Sequence, residues 1–390
     1  MRRVRLKEFG TFYSGLSGKS KSDFSEGNAL LVTYRNIFNN PVLNPAIKDT
    51  VVVGKDEKQN EVLWGDILIT GSSETPADAG MSSVVLFNPQ EKMYLNSFCF
   101  GFRLNDMNEA LPSYIGHLLR STSIRAAISK TAFGVTRFNV NRMRFADIEI
   151  PLPPLNIQKE IVSILDSFTS LIGKMKQEVE MRKKQMEYYR EKLMAPQTNW
   201  KIKTLGEIGT FTRGNGLQKS DFRVKGFPCV HYGQIHTYYN TCIYKTKSFC
   251  EEDLAKKLQN ASYGDLLIAT TSEDVKACCK AAVWFGAGDV AYSGDSFCYS
   301  HDQDPKYMAY LFQTEMFAKQ KQKAATGAKV IRVSGESMAS FSFAFPPLVQ
   351  QRQIASILDT FESYISKLEK MIELRQKQYE YYREKLLTFE

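Results

Sequence analysis

Between residues 156 and 194, apolar or long side chains recur at Ile157, Ile161, Ile164, Phe168, Leu171, Met175, Val179, Arg182, Met186, Tyr189 and Leu193. The steps alternate between three and four, with one stutter near Met175, and predict a long helix with one buried seam. The same steps return at Ile354, Ile357, Phe361, Tyr364, Leu368, Ile372, Arg375, Tyr379, Tyr382 and Leu386. Each stretch is entered through prolines, "PLPPL" and "FPPL", which are tolerated at a helix entrance and excluded from its interior. At about 1.5 Å per residue each helix would be a rod of roughly 58 Å. Gly173 costs the first rod about 1 kcal/mol relative to Ala. Ser366 stands at the matching place of the second, so the glycine reads as tolerated rather than as a hinge.

Outside these stretches the pattern shortens. "NALLVTY", "VLWGDILIT" and "YLNSFCFGFRL" read as strands between turn residues, and "SYIGHLLRSTSIRAAI" reads as one helix. The pieces return as "YGDLLIATT", "SFCYS" and "KYMAYLFQTEMFAKQKQKA". The repetition is literal in places. "EYYREKL" occurs at 187–193 and again at 380–386, and "SILD" and "PPL" recur at the same offset of 193. "KSDF" recurs at 198, and "GTF", "GDILIT" against "GDLLIA" and "SFCF" against "SFCY" recur at 199, so the first copy carries about six extra residues between 104 and 134. The chain is a tandem duplication with a repeat far longer than that of a solenoid. A short connector, "APQTNW", leaves no room for a parallel return. The helices should therefore pair antiparallel about a pseudo-twofold axis, with a mixed α/β domain at either end.

Composition narrows the function classes. The net charge is +9, of which 1–155 and 195–347 carry +3 and +4, a mild sign of a polyanionic partner at those parts. No apolar run is long enough to span a membrane and the first residues lack a secretory pattern, so the expected location is cytoplasmic. Seven cysteines do not suggest a disulfide framework.

Catalytic readings fail one by one. "GLSGKS" has Tyr13 where a phosphate-binding loop needs its first glycine. Asp265, Asp274 and Lys276 echo a metal nuclease faintly, without the third carboxylate and without a counterpart in the first copy. Cys229, His231, His236, Cys242 and Cys250 complete no zinc pairing, so no metal site is expected. Cys278-Cys279 reads as a packed pair of free thiols. "FNPQ" is a poor relative of an adenine-methyltransferase motif. No catalytic apparatus is visible.

The "GDILIT" and "GDLLIA" segments, "FGVTRFNVNRMRFADIEIPLPPL" with "TGAKVIRVSGESMASFSFAFPPL", and the "SILD…EYYREKL" helices together resemble the specificity subunits of Type I restriction–modification systems. The resemblance covers the whole chain. It implies an α+β architecture of two target recognition domains, 1–155 and 196–347, each followed by a long conserved helix, 156–195 and 348–390. One departure stands out: the family usually places Glu-Gln shortly after Pro-Pro-Leu, where this chain has Ile157-Gln158 and Gln350-Gln351.

The resemblance also implies a non-catalytic chain that binds double-stranded DNA. It would confer specificity on two modification subunits and on restriction subunits that use S-adenosylmethionine, ATP and Mg2+, with no cofactor of its own. The alternative is an orphan DNA-binding module of the same build. Base and phosphate contacts need Lys, Arg, Asn, Gln, Ser and Thr on loops. In the first half the candidates are Lys19, Lys21, Arg35, Asn36, Ser72, Ser73, Thr136 and Arg137. In the second they are Arg213, Lys219, His231, Gln234, Thr271, Ser272, Lys329 and Arg332. Tyr34, Phe38, Tyr238 and Tyr239 would stack on bases or, more ordinarily, pack at strand edges. The repeated heptapeptide offers Glu187, Arg190, Glu191 and Lys192, echoed by Glu380, Arg383, Glu384 and Lys385, as recurrent surface letters for two copies of one partner.

Overall fold

The computed structural model describes residues 2–389, which form two compact units. The first unit holds the chain up to Lys176 together with Lys370 onward; the second holds Gln177–Glu369. Each therefore owns one globular part, the end of one long helix and the start of the other. The long helices run Leu155–Met194 and Leu348–Leu387. No helix among the described residues is long and apolar enough to cross a membrane.

In the first unit a four-stranded antiparallel sheet runs Gly10–Ser14, Cys99–Leu104, Ile67–Thr70, Ser82–Val84 in spatial order. A second sheet sets Ala29–Val32 between Thr50–Val51 and Met93–Leu95. In the second unit Gly209–Arg213, Ser296–His301, Leu266–Ala269, Lys280–Trp284 and Cys242–Ile243 make the corresponding sheet. The repeated Gly-Asp builds the turn into its central strand. Gly65 and Gly264 sit at φ +86 and +94, where a Cβ would clash with the backbone. Asp66 then accepts the Leu63 N–H at 2.8 Å, and Asp265 accepts the Ser262 N–H at 2.8 Å. Asp66 is fully buried, and its charge is matched by a bidentate Arg103 at 2.7 Å and by the Tyr13 hydroxyl at 2.6 Å.

Each expected single helix is two. In the first unit Pro112–Leu119 ends and Thr122–Ser129 begins; in the second the break lies between Pro305–Leu311 and Glu315–Ala324. The apolar period continues across both breaks, which is why it conceals them. Ser121 and Thr314 take the extended N-cap conformation, and the Thr314 hydroxyl accepts the Phe317 N–H at 3.2 Å.

The helix seam is also displaced from the expected one. Ile164 and Leu171 are each 41% exposed, while Leu165 and Ile172 are buried; in the second helix Ile357 and Tyr364 are exposed, while Leu358 and Ile365 are buried. The packed face thus reads Ile161, Leu165, Phe168, Ile172, Met175, Val179, an unbroken heptad, and the stutter near Met175 disappears. Leucine and isoleucine at adjacent positions made either seam legible; burial against the globular domain selects the second. In the first unit the start of the first helix packs on the end of the second, with Phe168 stacked on Tyr382 at 5.5 Å. In the second unit the end of the first helix packs on the start of the second, with Tyr189 stacked on Phe361 at 5.5 Å. The helices are antiparallel.

Candidate nucleic-acid interface

Beyond the sheets, each unit returns its chain through a small ladder. In the first, Ser72–Ser73 pairs with Phe138–Val140 in the register Asn139 to Ser72 and Phe138 to Ser73. In the second, Thr271–Ser272 pairs with Ile331–Arg332, Thr271 opposite Arg332. The loops beside these strands carry candidates that are far apart in sequence. Ser72, Ser73, Thr136 and Arg137 all line one cleft of about 660 Å³, with Tyr34 and Phe38 stacked on each other at 5.7 Å in its wall. Arg137 is exposed, donates from Nε to the Ser72 hydroxyl at 3.2 Å and lies over the Phe98 ring at 5.2 Å.

Several other candidates are committed elsewhere. Lys19 is ion-paired to Glu57 at 2.5 Å with its side chain only 9% exposed, and that pairing draws the Glu57 carboxyl down to about 2. Asn36 accepts the Asn44 N–H at 3.1 Å and donates to the Asn44 carbonyl at 3.0 Å, shaping its own loop. Gln234 accepts the His231 N–H at 3.1 Å and donates to Ser248 at 2.7 Å. His231 is buried, with burial holding its ring below the usual histidine range, and its Nδ1 accepts the Gly233 N–H at 3.2 Å. These residues shape loops rather than reach outward.

Lys21, Arg35, Lys219, Lys329 and Arg332 are exposed, and Arg213 is exposed while donating to the Gly294 carbonyl at 3.1 Å. Tyr238 is exposed beneath Lys247 at 4.7 Å, whereas Tyr239 is buried and accepts the Lys247 N–H at 2.8 Å. Sequence reasoning missed Asp78, Asn96 and Phe98, which with Glu74 complete the first cleft. Phe98 is 56% exposed; its signal was a large apolar residue in the turn "LNSF", read there as strand.

The heptapeptide has internal duties. Glu191 accepts the Glu315 N–H at 3.1 and 3.2 Å, and Glu384 accepts the Thr122 N–H at 2.9 and 3.0 Å. Each glutamate caps the second half of the broken helix in its own unit, where a carboxylate meets the positive end of the helix. Arg190 and Arg383 flank them at 3.4 and 3.2 Å and are largely covered. These four are therefore not free surface letters, as their recurrence suggested; Glu187, Lys192, Glu380 and Lys385 remain exposed. The glutamines after the proline runs have matching roles. Gln158, fully buried, accepts the Leu111 N–H at 2.9 Å and donates to the Pro153 and Glu109 carbonyls at 2.8 and 2.9 Å. Gln351 accepts the Asp304 N–H at 3.0 Å and donates to Pro346 at 2.9 Å. The departure at the preceding residue leaves this function untouched.

Comparison with known proteins fits this duplicated build. The family model for the Type I restriction modification DNA specificity domain matches twice, over residues 1–181 and 197–376. A Haemophilus influenzae protein named as a type I restriction enzyme specificity subunit is 30% identical over 272 residues, 66% of this chain and 68% of that one. The EcoR124I/EcoR124II specificity subunit of Escherichia coli is 28% identical over 62% of this chain and 63% of its own. Among solved structures, the S subunit of a Type I system from M. genitalium covers 100% of this chain and 96% of its own at a TM-score of 0.57 and 15% identity. A chain from a type I R-M system, solved for complex assembly and conformational transition, covers 99% and 97% at 0.60 and 14%. At such identities the structures speak for the fold, while the two family matches, which take in most of the chain, speak for kinship: this chain belongs to the Type I restriction–modification DNA specificity family.

Proposed function

We propose that this chain is the non-catalytic DNA-reading subunit of a Type I restriction–modification complex. Each recognition domain, 1–155 and 196–347, reads one half of a bipartite, asymmetric duplex target. The long helices set the distance between the half-sites and seat two modification subunits, and restriction subunits join outside them. Chemistry belongs to those partners, with S-adenosylmethionine, ATP and Mg2+; this chain holds none of the three.

The observation that carries the reading is one frame with two chemistries. The ladders Ser72–Ser73 with Phe138–Val140 and Thr271–Ser272 with Ile331–Arg332 occupy matched places, yet their side chains differ. Equal scaffolds with unequal loops suit two unlike half-sites. Arg137, exposed, held over Phe98 and lining the cleft, is the foremost base-reading candidate of the first domain. Arg332 and Lys329 are those of the second.

Methylome sequencing of cells with and without the gene tests this. The expected result is a methylated motif of two specified blocks around an unspecified spacer, lost with the gene. Arg137→Ala should relax one position of one block, at about 1–3 kcal/mol of discrimination. An unchanged methylome, or one contiguous symmetric motif, would overturn the reading.

A further inference from the structure

Behind the Thr271–Ser272 strand the second unit places Cys278 and Cys279 in succession, both buried, with Sγ atoms 3.9 Å apart. Cys279 has φ +60 and is the only residue other than glycine with positive φ among the described residues. Its counterpart 199 residues earlier is Gly80, at φ +66. The backbone demands a left-handed conformation at this point. Glycine adopts it freely, whereas a side chain there carries a steric cost. The second copy bears that cost for a thiol.

The surroundings are not those of a passive core pair. Both cysteines line a cleft of about 530 Å³ shared with Lys321, whose buried ammonium donates to the Lys276 and Cys278 carbonyls at 2.9 and 2.8 Å. A hydrogen bond from the Cys279 thiol, with the Lys321 charge acting in the same direction, holds the Cys278 thiol below its usual range, while Cys279 is pushed up. The Cys278 Sγ lies 3.1 Å from the Thr270 carbonyl oxygen and 3.9 Å from that of Ile331. Thr270 leads into the Thr271–Ser272 strand and Ile331 opens its partner, so this thiol touches both strands of the ladder that holds Thr271, Ser272 and Arg332.

We propose that Cys278 and Cys279 are a modification site, a vicinal dithiol that closes reversibly to a disulfide by exchange with a low-molecular-weight disulfide. The Cys278 thiolate attacks one sulfur of the external disulfide, forming a mixed disulfide and releasing one small thiolate. Cys279, giving up its proton, then attacks the Cys278 sulfur, and a second small thiolate leaves. The protein loses two electrons and two protons, and the external disulfide becomes two thiols. Successive Cα atoms stand about 3.8 Å apart, below the usual disulfide span, so the ring is strained and readily reduced. That strain makes it responsive to the thiol poise rather than permanently closed. Burial makes closure slow, gated by opening of the exposed turn over 273–277. Closure pulls the Cys278 sulfur away from the Thr270 and Ile331 carbonyls and loosens the ladder of the second unit alone. The consequence for target reading rests on the function proposed above; the modification itself does not.

The test is to equilibrate the full chain in graded mixtures of glutathione and glutathione disulfide, then map thiols by peptide mass. The expected result is loss of two hydrogens from the peptide holding Cys278 and Cys279 at mixtures that leave the other cysteines reduced. Dithiothreitol should restore them. Cys279→Gly, whose backbone conformation is the one Gly80 already adopts, should fold and take at most a glutathione adduct on Cys278. Hydrogen exchange over 270–278 and 329–333 should quicken on closure, without change at 70–79. A pair that stays reduced while other cysteines oxidise, or a stable glutathione adduct in the wild type, would overturn the site. Closure with unaltered exchange would overturn its coupling to the ladder.

Discussion

The loop after Ser72–Ser73 and the loop after Thr271–Ser272 are held by the same carbonyls and by different residues. In the first unit Arg125 donates to the carbonyls of Ala77, Ala79 and Gly80 at 2.6–2.7 Å. In the second Lys321 donates to those of Lys276 and Cys278, the equivalents of Ala77 and Ala79 at an offset of 199. Arg125 and Lys321 are not themselves equivalent. At the helix offset of 193, Lys321 matches Ile128, nearly one turn further along the helix Thr122–Ser129. A guanidinium fork spans three carbonyls and an ammonium two, each from a different place. What is retained between the copies is the satisfaction of the loop carbonyls, costly to lose where they are buried, and not the residue that supplies it. The junction with the long helices repeats the lesson. Asp166 and Asp359, from the two "SILD" motifs, accept from His117 Nε2 at 2.8 Å and from the Tyr310 hydroxyl at 2.9 Å.

The seam offers the strongest way to break the equivalence of the halves. Leu165 and Leu358 are fully buried at matched positions of the long helices, while their neighbours Ile164 and Ile357 are exposed. Leu165→Ala and Leu358→Ala should each cost about 2–5 kcal/mol, the range for emptying a packed leucine site. Ile164→Ala and Ile357→Ala should each stay below about 1 kcal/mol. Denaturant unfolding followed by circular dichroism compares all four. Equal losses at both positions would return the seam to the alternating pattern read from sequence.

That error shows where sequence legibility ended. The repeat, the strands around "GDILIT" and "GDLLIA", and the existence and extent of both long helices follow from period and offset. The seam did not, because "IL" at 164–165 and 357–358 puts an apolar residue on two adjacent faces. Only burial against a globular domain decides between them. The helix breaks before Thr122 and Glu315 were hidden because the carboxylate that meets each new helix start lies 262 residues away in the first unit and 124 in the second. Of the candidate residues, Ser72, Ser73, Thr136 and Arg137 are brought together in one cleft. Asn36, His231 and Gln234 bond within their own loops, because side chains suited to reading base edges are equally suited to capping their own turns.

The loop clamps come next in expected size. Arg125→Ala strands three carbonyl groups and Lys321→Ala two. Each should cost about 1–3 kcal/mol, chiefly from the carbonyls of the buried Ala79 and Gly80 in the first unit and of Cys278 in the second. Amide hydrogen exchange should quicken in the loop of the altered unit only, over 71–80 or 270–279. Arg125→Lys should restore less than Lys321→Arg, since one ammonium cannot span three carbonyls. Equal behaviour of the two exchanges would mean that the clamps are interchangeable and that the comparison carries no geometry.

Smaller still is the cap that each long helix lends. Glu384→Gln and Glu191→Gln keep an acceptor but remove the charge facing the helix start, an expected loss of about 0.5–1 kcal/mol each. Glu384→Ala and Glu191→Ala remove both, for about 1–2 kcal/mol. If the heptapeptide also seats a partner, charge reversal at the exposed Glu187 and Lys192, or at Glu380 and Lys385, should lower the number of modification subunits bound while leaving thermal stability unchanged. Unchanged assembly would leave the repeated letters explained by the caps alone.

The smallest effect separates two neighbouring lysines. Lys19 is covered and paired with Glu57, whereas Lys21 is exposed in the turn Lys21–Phe24, and the second unit has Lys256 in place of Glu57. Lys21→Ala should reduce the salt slope of duplex binding by about one, as expected on losing a single phosphate contact. Lys19→Ala should leave the slope unchanged, because its charge is already answered within the protein. The pairing also has a pH signature. The Glu57 carboxyl is lowered from 4.5 to about 2, so its link to Lys19 is fully made above the ordinary value and is lost as pH falls through about 2. Nuclear magnetic resonance titration of the Glu57 carboxyl should place its midpoint well below that of other exposed glutamates, and Lys19→Ala should return it toward them. A salt slope that drops with Lys19→Ala as much as with Lys21→Ala would show that DNA displaces Glu57 from Lys19. The first unit's covered cation would then be a contact held in reserve.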